Sequence, residues 1–337
     1  MKFGLYSSIA NPPRGEHLDR SIDEVIAEAQ LAEASGFDSC FFGEHHQDKD
    51  GFLPSPLIVA TAVAAHTRRL RIGTSVILLP LHHPVRVAED VITLDLVSKG
   101  RVILGVGIGY QADDFRAFAV PMAERVARFE EGVQILRRCW TGEPFSFRGA
   151  HYTLEDVCIR PRPYQRPGPP LWIGASVPTA VRRAGALADA FVGTPSTSLQ
   201  GAMRLVDTYK AAARDAGRPP EVVLMRDAWV ARTRAEAEAV YGPEVMAAYR
   251  YYWEHRLSEF REIPAGTEFT LANLAPDRLI VGDPETCVRE FHRWQDATGA
   301  DSFLLRLRHA HSGGPPHEKI MEAIRLFGDK VLPHCRS

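Results

Sequence analysis

The chain has 337 residues, 45% of them hydrophobic and 24% charged, an ordinary globular composition. Forty Lys and Arg against 42 Asp and Glu leave a formal charge of −2, so no basic excess is available to neutralise nucleic-acid phosphates. No apolar run is long enough to span a membrane. The N-terminal stretch has acids where a secretory signal has an apolar centre, and the five scattered cysteines contain no C-x-x-C pair. A cytoplasmic protein that binds neither nucleic acid nor membrane is therefore expected.

Apolar, strand-like runs are predicted in chain order at Phe3–Ser7, Ser39–Gly43, Arg71–Leu78, Arg101–Gly105, Leu171–Gly174, Phe191–Gly193, Val222–Val230 and Ser302–Arg306. Several lack strict alternation, as parallel strands covered on both faces do. Helical spacing fills most of the gaps: Ile22, Val25, Ile26 and Ala29; Ala88, Val91, Ile92 and Leu96; Val126, Phe129, Val133, Leu136 and Trp140; Ile320, Ile324, Phe327 and Val331. The segments Ala34-Ser35-Gly36-Phe37-Asp38-Ser39 and Ala297-Thr298-Gly299-Ala300-Asp301-Ser302 share one form, a helix closed by a left-handed glycine and an Asp turn into a strand. Gly100 looks like a third such cap.

Eight strands alternating with helices suggest an α/β fold, a (β/α)8 TIM barrel formed by residues 1–337 as one unit. An open doubly wound sheet is the alternative. Two stretches exceed a minimal barrel. Residues 142–170 are expected to form a hairpin and loop. Residues 241–276, rich in aromatics, form either a substrate-side lid or an extra outer helix.

Barrel enzymes act at the C-terminal ends of their strands, and polar or glycine-rich residues gather there. Ser176 has the chemistry of an N-cap, Pro178 suits a first turn, and a helix N-terminus with the hydroxyls of Ser176 and Thr179 suits a phosphate. An ordinary capped helix would read the same. Gly105-x-Gly107-x-Gly109 ends in Tyr110 where a dinucleotide fingerprint requires glycine, so close backbone approach to a flat ligand is the better account. In Glu44-His45-His46, adjacent histidines point to opposite faces and no third ligand is visible, so no metal site is expected. A general base formed by one histidine beside Glu44 fits better, with a structural histidine pair as the alternative. His82-His83 and His309-x-His311 carry weaker signals of the same kind.

The run from Gly73 to Asp90, through Ser75-Val76 and Leu79-Pro80-Leu81-His82-His83-Pro84, resembles the bacterial luciferase-like flavin monooxygenases. So do Leu94–Arg101, Gly36-Phe37-Asp38 with Glu44-His45-His46, Leu171-Trp172-Ile173-Gly174, and Gly282-Asp283-Pro284-Glu285 opening a late helix. The resemblance implies a TIM barrel with a flavin at its mouth and a non-proline cis peptide at Ser75-Val76 beneath the ring. It implies cofactor contacts at Ser75, Val76, Gly107, Tyr110, Gly174, Ala175, Ser176, Val177 and Thr179, with His45 and Glu44 as catalytic groups. Ile108 stands where luciferase has a phosphate-binding arginine, and Arg160, Arg162 and Arg183 are candidate substitutes. The implied activity is a two-component monooxygenase that takes reduced FMN from a separate reductase and oxygenates a hydrophobic small molecule, in a homodimer. The alternatives are a dehydrogenase or reductase using the 5-deazaflavin coenzyme, and a flavin-binding protein without catalysis.

Overall fold

The computed structural model describes residues 1–8, 18–47, 52, 54–254, 257, 260, 263–264, 266–309 and 312–336. The strands are β1 (Lys2–Ser7), β2 (Ser39–Phe42), β3 (Arg71–Thr74), β4 (Ile77–Leu78), β5 (Val102–Gly107), β6 (Phe145–Arg148), β7 (Thr153–Val157), β8 (Leu171–Ala175), β9 (Ala190–Gly193), β10 (Val222–Val230), β11 (Ile280–Gly282) and β12 (Ser302–Arg306). The helices are α1 (Leu18–Ala34), α2 (Pro56–His66), α3 (Pro84–Ser98), α4 (Ala112–Ala117), α5 (Arg125–Thr141), α6 (Pro178–Leu187), α7 (Leu199–Asp215), α8 (Arg234–Glu254), α9 (Leu271–Leu274), α10 (Pro284–Thr298), α11 (His317–Lys330) and α12 (Leu332–Cys335).

Among the described residues, eight parallel strands close a barrel in the order β1, β2, β3, β5, β8, β9, β10, β12, and β12 returns to pair with β1 through Lys2↔Ser302 to Tyr6↔Arg306. The barrel is the expected architecture, and the open sheet is excluded. Inside it, Phe41 stacks on Trp172 with ring centroids 5.0 Å apart, in room left by Gly73. The outer faces of the strands pack against the apolar stripes of the helices.

The repeated Gly-x-Asp segments have a common physical role. Gly36 and Gly299 both lie at positive φ, where glycine avoids the Cβ clash. The aspartate that follows each accepts a hydrogen bond from an N–H at the start of the neighbouring strand: Asp38 from Phe3 N and Asp301 from Val222 N, each at 2.8 Å. Asp189 does the same for Leu171 N. These carboxylates satisfy strand ends that would otherwise be orphaned at the base of the barrel. At the third suspected cap, Lys99 is itself left-handed and Gly100 follows it, also at positive φ.

Besides one-residue shifts at strand ends, three differences from the sequence expectation bear on the mouth. The third strand is not continuous over 71–78; it breaks at Ser75-Val76, a cis peptide, into β3 and β4. The fourth runs on to Gly107, so Gly105 and Gly107 lie within the sheet. The excursion after β10 starts at α8, ahead of residue 241, and it adds a short strand, β11, that lengthens β10 by parallel pairing of Ala228 with Ile280. The expected hairpin in 142–170 is present as β6 and β7.

Thr74 joins β3 to β5 just before the break. Its Oγ1 donates to Gly105 O at 2.8 Å and accepts from Gly105 N at 3.1 Å. A Cβ on Gly105 would lie 2.0 Å from Thr74 O, which is backbone and cannot rotate away. Gly105→Ala should therefore lower unfolding free energy by roughly 2–4 kcal/mol. Urea denaturation measures this, and an unchanged midpoint would show that the strands can separate at no cost.

Candidate functional site

The break in the third strand shapes the mouth. Past Ser75, the Val76 side chain turns onto β5 and β8, where Gly107 and Gly174 make room for it. A Cβ on either glycine would come within 2.6 Å and 2.8 Å of a Val76 methyl. Within the chain itself, then, Gly107 and Gly174 have a packing role. They accommodate Val76, and Val76 in turn forms a shelf across the strand ends. Ser75 N is fixed to Phe42 O at 2.8 Å, and the Ser75 side chain is nearly buried.

Glu44 secures the other side of the break. Its Oε2 accepts the Leu78 backbone N–H at 2.6 Å, which clamps β4 against the end of β2. Its Oε1 accepts from His46 Nε2 at 2.8 Å and His82 Nε2 at 2.6 Å. Burial alone would raise this carboxyl, but the bonds from His46 and His82 outweigh burial and hold it at about 2. Glu44 is therefore a permanent carboxylate. Its partners are His46 and His82, where the sequence reading placed it beside His45. The third group absent from the local spacing, His82, arrives from the loop after β4.

His45, in the loop beyond β2, has different neighbours from His46. Its ring packs edge-on to Phe52 at 4.5 Å and stands 6.3 Å from Tyr110. Gln111 donates through Nε2 to His45 Nδ1 at 3.2 Å. In the neutral imidazole this leaves the proton on Nε2. Neither Gln111 nor Phe52 carried a sequence signal; each becomes meaningful only once the loops after β2 and β5 meet.

At the end of β8, α6 begins with Pro178. The residue before a proline is pushed to extended backbone, so Val177, at φ −125°, is the N-cap, and Ser176 stands one position earlier than expected. The first helical bond runs from Val181 N to Val177 O. The amides of Thr179 and Ala180 precede it and are left to a ligand or solvent, beside the Thr179 and Ser176 hydroxyls. Ala175 closes β8 immediately below. Of the three arginines proposed to replace the missing one, two are paired with glutamates. Arg183 pairs with Glu130 at 2.6 Å, Arg162 pairs with Glu143, and Arg160 and Arg162 flank Gly142 at the far end of α5.

The opposite wall holds polar residues that the apolar strand runs concealed. Arg306 on β12 binds Asp227 on β10 through Nε at 2.6 Å and Nη2 at 3.1 Å. Tyr249 donates to Asp227 at 2.8 Å, and Tyr241 of the same helix, α8, hydrogen-bonds His309 at 2.7 Å. The aromatic excursion thus reaches the C-terminal end of the barrel through its tyrosines. Part of 241–276, and His311, lie outside the described residues.

The luciferase-like monooxygenase family model matches residues 1–301. The chain belongs to that family, whose members are oxidoreductases, some of them flavin-dependent monooxygenases and others F420-dependent dehydrogenases. An F420-dependent glucose-6-phosphate dehydrogenase of Nakamurella multipartita is 31% identical, the match covering 93% of each chain. A monooxygenase of Streptomyces bottropensis superposes with a TM-score of 0.87 at 26% identity, covering 100% of both chains. The oxygenating component of 3,6-diketocamphane monooxygenase from Pseudomonas putida, solved with FMN, gives 0.85 at 22% identity over 99% and 98%, which shows the shared fold. No helix among the described residues is long and apolar enough to cross a membrane.

The Asp227–Arg306 pair gives a signed pH prediction. Burial would raise the Asp227 carboxyl, but the Arg306 charge holds it below its ordinary 3.8. Its stabilisation is therefore complete above about pH 4 and is lost as pH falls through the lower folded value. Asp227→Asn should cost about 3–5 kcal/mol at pH 7 by stranding a buried guanidinium. Urea midpoints of both proteins across pH check this: the gap must narrow below about pH 4, and a gap constant with pH refutes it.

Proposed function

We propose that the protein is the oxygenating component of a two-component monooxygenase, which takes reduced FMN from a separate reductase and acts on a hydrophobic organic molecule. The observation that carries this reading is the Val76 shelf, which faces the end of the barrel that also holds His45 and the amides opening α6. A flat ring fits a shelf made of one aliphatic side chain flanked by glycines. A phosphomonoester fits the amides of Thr179 and Ala180 with the hydroxyls of Ser176 and Thr179. When bound, the reduced flavin supplies the oxygen chemistry.

The chain's own groups position and protonate. Ser75 and Val76 support the ring from below, Tyr110 and Phe52 exclude water around His45, and His45 serves as the proton-transfer group. Glu44 acts through the shelf as a positioning residue. The glycine run is used inside β5 and beneath Val76, which supports an outside source of reduced flavin. Ile58, Leu96 and Val97 are exposed on the outer faces of α2 and α3, and this apolar surface supports the homodimer.

A second reading, an F420-dependent dehydrogenase, is favoured by the 31% identical relative. Anaerobic titration with reduced FMN and with F420 separates the two. Binding of FMN with oxygen uptake on mixing with air supports the first reading, and F420 binding without oxygen uptake overturns it. His45→Ala should slow turnover by about 100-fold with FMN affinity changed by no more than about twofold; unchanged turnover removes its role. Ser176→Ala with Thr179→Ala should weaken FMN about tenfold and leave riboflavin binding unaltered. Equal losses for both ligands would place the phosphate elsewhere.

A further inference from the structure

We infer that Glu44, His46 and His82 form a binding site for a transition-metal divalent cation such as Zn²⁺, beside the mouth and distinct from the flavin shelf. The ligand atoms, Glu44 Oε1, His46 Nε2 and His82 Nε2, all lie within 4.8 Å of one another. Two imidazoles with one carboxylate are a common protein ligand set for zinc. The second oxygen of the carboxylate is anchored on Leu78 N, so the group is fixed in place before any ion arrives.

A second observation points to a cation here. Asp114, on α4, is 1% exposed, and its Oδ1 has no hydrogen-bond partner. The charged groups that act on it are His46, Glu44 and Asp113. A buried carboxylate oxygen left unsatisfied beside a second carboxylate is costly unless positive charge stands near both. An ion held by Glu44 and the two histidines provides that charge, and Asp114 either completes its coordination or balances it from the next position.

The surroundings suit an ion. Phe118 covers both imidazoles, its ring 4.5 Å from His46 and 6.0 Å from His82. His82 has 30% of its side chain exposed, which gives the ion a route in. The present N···O spacings of 2.6 and 2.8 Å are those of hydrogen bonds. Tetrahedral coordination with bonds of about 2.0 Å needs ligands about 3.3 Å apart, so His82, the exposed partner, must swing outward by well under ~1 Å. Each imidazole then moves its proton from Nε2 to Nδ1, and no redox step is involved.

The test is titration of the metal-free full chain with Zn²⁺ by calorimetry, and with Co²⁺ by visible absorption. About one ion per chain is expected, with a tetrahedral Co²⁺ spectrum and a rise in melting temperature. His82→Ala, at a partly exposed position, should weaken binding at least roughly 100-fold while the far-ultraviolet circular dichroism is retained. His46→Ala should do the same. Asp114→Asn should weaken binding less and shift the cobalt bands. Failure to bind either ion, an octahedral spectrum, or equal affinity in His82→Ala overturns the proposal. These readouts need no flavin, so their failure leaves the proposed activity untouched.

Discussion

The mouth depends on one packing constraint: a valine side chain must fit where two neighbouring strands would normally carry side chains of their own. Gly107 and Gly174 meet it by having no Cβ. Everything around them keeps Val76 there. Thr74 fastens β3 to β5 with both a donated and an accepted bond, and Glu44 fastens β4 to the end of β2 through Leu78 N. These are charged or polar contacts in a dry region, where a satisfied group is strong and an unsatisfied one expensive. The local geometry is thus determined from three sides, which is the preorganisation a ligand shelf requires.

Much of this was legible because barrel periodicity is a strong signal. Parallel strands buried on both faces read as short apolar runs, and the helices between them carry stripes of fixed spacing. What failed to show was contact across sequence. His82 is 38 residues from Glu44, so no window of local spacing joins them. Asp227 and Arg306 sit inside runs that look apolar, and a charge there becomes explicable only when the strands are seen to be neighbours through β10 and β12. β11 has three residues, too few for any periodicity to register. The glycines after the fourth strand are legible as small residues, but that Val76 packs over Gly107 is visible only in the folded chain. The N-cap moved from Ser176 to Val177 because proline geometry, more than the hydroxyl's capping chemistry, fixes where α6 begins.

The mouth has two unlike sides. One is apolar and built on β3, β4, β5 and β8, with His45 at its edge held by Gln111. The other is built on β10 and β12 and carries a buried ion pair tied to tyrosines of α8. A buried pair of this kind contributes little net stability against an apolar alternative, since desolvation offsets most of the attraction. It does fix the positions of its members. Asp227 binds Arg306 and Tyr249 together, so α8 is held to the strand ends by bonds that tolerate only one arrangement. The excursion after β10 is therefore part of the site's wall, whatever substrate it meets.

This arrangement explains why one fold serves two cofactors in its family. On the proposed reading, the shelf would select for flatness and the helix N-terminus for negative charge, and neither depends on what atoms occupy the reacting edge of the ring. Cofactor choice must then rest on groups that touch the tail, and the chemistry that follows on groups beside the ring. In this chain two of the three candidate arginines are paired with glutamates, Arg183 with Glu130 and Arg162 with Glu143. On the proposed reading a phosphate at α6 would be met by backbone amides and hydroxyls, which suit a single phosphomonoester better than a long polyanionic extension. Weak, exchangeable retention of a short-tailed cofactor is what an enzyme supplied from outside requires, because a cofactor that must leave to be reduced cannot be bound tightly.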